Sequence, residues 1–146
     1  MIYLLVLLNF CLTVPLNFFL NLLAFCNPYN SIPRYKGELL ALAKDLADRF
    51  LPAFMTNSGF PHPRINLVHG VPENGIKESC TAGIGSLILE FGMLSRLLDE
   101  PVYEAHARRA INALWERRNN DTGLLGFAMD VTSGKWLSSV SCLQQP

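Results

Sequence analysis

Glu90 is the one charged side chain in an otherwise apolar run from Ile84 to Leu94. A carboxylate buried in such a run needs partners, and burial raises its pKa in the way a general acid requires. The plainer reading, a structural ion pair or a hydrogen-bonded core carboxylate, is the one the sequence favours. Arg64 and Asn66 lie between prolines and apolar anchors, where they could hydrogen-bond a polar ligand such as a sugar. Solvated loop positions would suit them nearly as well. His62, His69 and His106 are too dispersed for a metal-ligand spacing and read as isolated surface histidines. Ser86, in Gly-Ile-Gly-Ser, forms no GxSxG elbow and follows no predicted strand, so it is not expected to be a hydrolase nucleophile. Asn120-Asp121-Thr122 is an N-glycosylation sequon on a predicted loop, informative only if the chain is secretory.

The elements that must position these groups are helices and one long connection. Leu39, Leu40, Ala43, Leu46, Ala47 and Phe50 recur at helical steps and predict a first helix over Lys36–Phe50, stopped by Pro52. Its wet face carries Asp45 and Arg49 four apart, the acid first. A second helix is predicted over Thr81–Leu98, with Thr81 as its cap. Gly83 and Gly85 give its first turns almost no bulk, and each glycine costs about 1 kcal/mol against alanine unless a close neighbour needs the room. Beyond them this helix is apolar nearly all round and is therefore expected to be buried. A third helix follows Asp99-Glu100-Pro101, with Tyr103, Ala107, Ala110, Ile111 and Leu114 inward. Turn signals at Thr122-Gly123 and Ser133-Gly134 then suggest a short β-hairpin. Between the first two helices runs a Pro-, Gly- and Asn-rich loop of about thirty residues, beyond the length of ordinary connections. Phe54, Phe60, Ile65, Leu67 and Val71 anchor it, so it reads as an ordered, working loop.

The 146 residues suffice for one ordinary domain. Twelve Lys+Arg balance twelve Asp+Glu, so nothing points to nucleic acid, and the arginines around Arg108, Arg109, Arg117 and Arg118 read as a solvated face. Residues 1–33 form an uncharged apolar leader, and within it residues 1–26 could be a signal peptide, a membrane anchor or a start not native to the domain. Cys11, Cys26, Cys80 and Cys142 contain no CxxC pair, which argues against zinc-ribbon and thioredoxin-type sites. A Cys80–Cys142 disulfide is possible, and a buried free thiol at Cys80 is the blander expectation. The apolar second helix would leave much surface uncovered in a three-helix domain, so the chain reads as a piece of a larger all-α protein.

LLALAKDLADRFLPAF, PHPRINLVHGV, CTAGIGSLILEFGMLSRLL and GLLGFAMDVTSGKW, in unbroken order from about Tyr35 to Trp136, resemble the endoplasmic-reticulum degradation-enhancing α-mannosidase-like proteins. These belong to glycoside hydrolase family 47. The resemblance implies an all-α fold, part of an (α/α)7 barrel of paired helical hairpins, over residues 34–137. The leader 1–33 and a divergent tail 138–146 would flank it. It implies inverting removal of α-1,2-linked mannose from high-mannose N-glycans of misfolded glycoproteins, in the lumen or membrane of the endoplasmic reticulum, assisted by calcium. Inversion needs two carboxyl groups roughly 6.5–9.5 Å apart. The family carries one in a Phe-Glu-Ser/Thr-Thr-Ile-Arg type segment upstream and another in an Asp-Ser-Tyr-Tyr-Glu type segment just downstream of Trp136. This chain has its uncharged leader at the first place and SSVSCLQQP at the second. The expectation is therefore that Arg64, Asn66 and Gly83 face glycan, Glu90 is the one catalytic candidate, and no calcium ligand is assignable. The chain alone would not hydrolyse. The alternative is a glycan- or client-binding fragment without catalysis.

Overall fold

The computed structural model describes residues 10–11 and 38–138. In chain order the elements are β1 (Phe10–Cys11), α1 (Glu38–Phe50), a 3-10 turn (Leu51–Phe54), β2 (Arg64–Ile65), β3 (Glu78–Cys80), α2 (Thr81–Gly85), α3 (Leu87–Leu98), α4 (Val102–Glu116), β4 (Ala128–Asp130) and β5 (Trp136–Ser138). Most of the expected leader, Lys36 at the start of the expected first helix, Cys26, Cys142 and the tail lie outside the described residues. So do the side chains of Phe10 and Cys11.

Three helices appear where the apolar periodicity put them, and the departures from expectation have local causes. Pro52 cannot continue an α-helix, and the chain tightens after Phe50 into the 3-10 turn, with Met55 N–H reaching Pro52 O at 3.2 Å. The expected second helix is two helices, α2 and α3, divided at Ser86. There Leu89 N–H donates to Ser86 O, a three-residue bond that locally tightens the coil. Its cap is Cys80 rather than Thr81. The Cys80 Sγ accepts the Gly83 N–H at 3.2 Å, while the Thr81 hydroxyl donates to Gly126 O at 2.6 Å and ties the helix start to the hairpin. Cys80 is a half-buried free thiol. Asp99 ends α3 in the left-handed region, at φ 55°, which turns the chain tightly into α4.

The core lies where α3 and α4 pack against α1 and the 3-10 turn. Phe54 meets Phe91 edge-on with ring centroids 5.3 Å apart, and Phe91 leans on Tyr103 at 6.2 Å. Thr81–Leu98 is long and apolar enough to cross a membrane by composition. Its Ile84, Leu87, Phe91 and Leu94 are at most 2% exposed within this core, which is how a core helix behaves. Tyr103 is wholly buried except that its hydroxyl donates to Asp48 at 2.6 Å and accepts from Lys44 at 2.9 Å. Lys44 also grips Glu100 at 2.6 Å, and that bond, ahead of the one to Tyr103, raises the lysine pKa. The expected helix ion pair Asp45–Arg49 is present, and Glu104–Arg108 forms a second on α4.

The expected hairpin is the outer part of a three-stranded antiparallel sheet, β3-β4-β5. Glu78 stands opposite Asp130 and Cys80 opposite Ala128, while Met129 faces Trp136 across a bulge. Asp130 Oδ1 caps the hairpin turn by accepting from Thr132 and Ser133 N–H, and those bonds pull its pKa below the usual carboxylate range. Gly126 has no room for a side chain. A Cβ there would lie 2.5 Å from the Trp136 ring and 2.6 Å from Ser138 O. Gly126→Ala is expected to push β5 away and cost about 1–3 kcal/mol of stability, as overpacking usually does. The check is a lower denaturation midpoint together with changed Trp136 fluorescence.

Candidate functional site

The long loop is ordered by its apolar anchors. Phe54, Phe60, Ile65 and Leu67 are buried and Val71 is half-buried. The loop is also stitched to its surroundings. Ser58 donates to Val131 O, Arg49 reaches from α1 to Leu67 O at 3.1 Å, and Arg109 holds Thr56 O at 3.0 Å. Arg117 lies over the Phe60 ring at 4.8 Å, and Gly59, at φ +88°, lets the chain pass close to Ala113.

This order holds Pro61, His62 and Pro63 as one wall of a cleft of about 300 Å³. Glu78, Ser79 and Cys80 of β3, Gly83 and Ile84 of α2, and Leu87 of α3 form its floor and far side. Phe127 and Ala128 close it from the hairpin. The cleft is at the small end for ligand pockets, and its lining has their usual character, mainly apolar with a few polar groups. His62 is half-buried, and burial, then the charge of Lys77, lowers its pKa, so it is neutral at pH 7.

Glu90 lies one helical turn beyond Leu87 on the same face of α3. It is 4% exposed, and its Oε2 has no hydrogen-bond partner among the described residues. Burial raises its pKa, partly offset by a hydrogen bond from its own backbone. The favoured expectation of an ion pair or a satisfied core carboxylate is therefore not what is seen at Oε2. A carboxyl oxygen left unpaired in a protein interior costs on the order of 1–3 kcal/mol.

The other candidates fall in different places. Gly83 lines the cleft. A Cβ on its neighbour Gly85 would meet Leu114 of α4 at 4.0 Å, an ordinary contact, so no close neighbour requires that glycine. Arg64 is exposed on β2, opposite Cys11 of β1. Asn66 is half-buried, and its Oδ1 accepts the N–H groups of Val68 and His69, each at 2.9 Å. That side chain shapes the loop, a use any Asx turn offers and no spacing rule would have separated from ligand binding. Neither Arg64 nor Asn66 lines the cleft. Sequence reasoning missed His62 and Glu78 as cleft residues, since β3 is too short to be read from alternation. Among the described residues no three His, Cys, Asp or Glu side chains group to hold a metal ion. Calcium needs six to eight oxygen ligands, and these residues do not fit it.

The chain matches the model described as Glycosyl hydrolase family 47 over residues 21–144. It is 49% identical over 110 residues to ER degradation-enhancing alpha-mannosidase-like protein 1 of Schizosaccharomyces pombe, covering 75% of this chain and 14% of that protein. It is 48% identical over 109 residues to Alpha-mannosidase I MNS5 of Arabidopsis thaliana, covering 75% and 19%. The chain thus spans less than a fifth of the length of these relatives. The solved alpha-1,2-mannosidase from Trichoderma reesei superposes with a TM-score of 0.68 at 27% identity, over 83% of this chain and 26% of that one.

Proposed function

The chain belongs to glycosyl hydrolase family 47, and on that footing we propose that it forms part of an α-1,2-mannosidase-like domain. That domain trims high-mannose N-glycans of misfolded glycoproteins in the endoplasmic reticulum, and residues 34–137 supply hairpins of its (α/α)7 barrel. Calcium serves the whole domain through residues other than those described here. The observation that carries this reading is Glu90, a buried carboxyl whose Oε2 has no hydrogen-bond partner among the described residues, one turn along α3 from Leu87 of the cleft. Sugar hydroxyls are the donors such an oxygen lacks. In this role Glu90 receives a mannose hydroxyl, or holds a proton for the leaving oxygen, while Gly83 lets the ring approach the start of α2 and Arg64 contacts the outer glycan. The relatives' names, α-mannosidase and ER degradation-enhancing, support substrate class and compartment.

A second reading, a glycan- or client-binding fragment without catalysis, is favoured by the cleft's largely apolar lining, which suits an exposed apolar client segment. One titration separates glycan recognition from recognition of a client segment. High-mannose N-glycan is added to the full 146-residue chain, with binding read by calorimetry and mannose release read by chromatography. Glycan binding that weakens about tenfold in Arg64→Ala, roughly 1.4 kcal/mol, is the expected result, with no mannose released by this chain alone. Arg64 is preferred to Asn66 as the probe because removing the Asn66 side chain would also loosen the loop. Binding of an unfolded peptide without glycan binding would favour the second reading. The absence of both would remove both.

A further inference from the structure

We propose that Asn120 is itself modified with an N-linked oligosaccharide; the inference rests on the endoplasmic-reticulum reading above. Asn120-Asp121-Thr122 is the only Asn-x-Ser/Thr triplet in the chain in which x is not proline. It falls on the turn after α4, and all three residues are exposed. The turn is held by its neighbours rather than by Asn120. Asn119 Oδ1 accepts from the N–H groups of Asp121 and Thr122 at 2.8 and 2.9 Å. Asn119 N–H reaches Leu124 O, and Gly123 closes the turn at φ +69° while donating to Asn119 O. The Asn120 amide makes no hydrogen bond to the described residues, so substituting it removes no hydrogen bond among them. None of the turn residues lines the cleft between the loop and the hairpin. A glycan here would therefore project into solvent and leave the cleft open.

The chemistry is group transfer from a polyprenyl diphosphate-linked oligosaccharide, the lumenal donor class. The bond from the sugar anomeric carbon to the diphosphate oxygen breaks, and a bond from that carbon to Asn120 Nδ2 forms. The amide nitrogen gives up one proton, and polyprenyl diphosphate leaves. Thr122 is the hydroxyl residue the triplet requires.

The test is translation of the full chain with endoplasmic-reticulum microsomes, followed by electrophoresis and protease protection. A single upward shift is expected, removed by peptide N-glycosidase, absent in Asn120→Gln and Thr122→Ala, and kept in Thr122→Ser. Because Asn120 and Thr122 are exposed, loss of the shift cannot come from loss of the core, and Thr122→Ser guards against that further. A chain that is protease-protected yet unshifted overturns the inference and leaves the lumenal reading standing. A chain neither protected nor shifted overturns both.

Discussion

Phe91→Ala is expected to cost this chain about 3–5 kcal/mol, the usual loss when a buried aromatic is truncated. Phe91 is 2% exposed and touches both Phe54 from the loop start and Tyr103 from α4. It therefore joins three elements at one point, and the edge-on contact with Phe54 adds to what the buried area contributes. Domains are stable by only about 5–15 kcal/mol in total, so the variant should lose a large share of that. The denaturant midpoint should fall with little change in slope. Leu89→Ala is the control. Leu89 lies two residues away on the same helix and is 64% exposed, and its truncation should stay within about 0.5 kcal/mol. Equal losses at the two positions would mean that the core is not centred where these rings meet.

Glu90→Gln should make the protein more stable at neutral pH and less able to bind glycan. The folded-state pKa of Glu90 is raised by burial, so the folded chain holds the proton to a higher pH than the unfolded chain does. Stability from this group is then present below the ordinary carboxylate range and is lost as pH rises from that range through the raised folded value. Glutamine has no proton to lose. The gain of Glu90→Gln over the parent should be smallest in acid, grow across that window and level off above it. Each unit by which burial displaces the pKa is worth about 1.4 kcal/mol. Chemical denaturation at several pH values reads the slope, and calorimetry reads glycan affinity. A variant that is less stable at all pH values would show that the carboxylate has partners after all. A more stable variant with unchanged glycan affinity would leave Glu90 without the role proposed for it.

Much of the scaffold was legible because its signals are local. Ala43, Ala47 and Phe50, and Tyr103, Ala107, Ala110 and Leu114, are buried as their spacing required. Ala113, also buried, stands three residues after Ala110 and was not included in that stripe. Glu90 could be singled out because a lone charge inside an apolar helix has nowhere polar to point. What its oxygens would meet could not be read, since that depends on what other elements bring near it. The loop's order followed from its anchors and the hairpin from its turn signals, whereas the third strand of the sheet, β3, did not follow from anything local. Glu78–Cys80 is three residues long, below the length at which alternation is visible. Cys80 and Thr81 are both small and polar, so the choice of helix cap turned on geometry with Gly126. Asn66 looked like a ligand group because the same amide can serve a ligand or its own loop.

The distance along the chain between β3 and β4 has a consequence for how the molecule is made. Cys80 pairs with Ala128, and ribosomes add roughly 5–20 residues per second. The segment carrying β3 and α2 therefore waits several seconds for its partner strand. Meanwhile α3 and α4, joined by a tight turn, can pair at once, because closing a short loop costs little entropy. The cleft is thus closed only after the α3–α4 pair has formed, late in synthesis. Until β4 arrives, Ile84 and Leu87 present an apolar floor without its lid of Phe127 and Ala128. A nascent chain paused in that interval would show chaperones the same surface that floors the finished cleft.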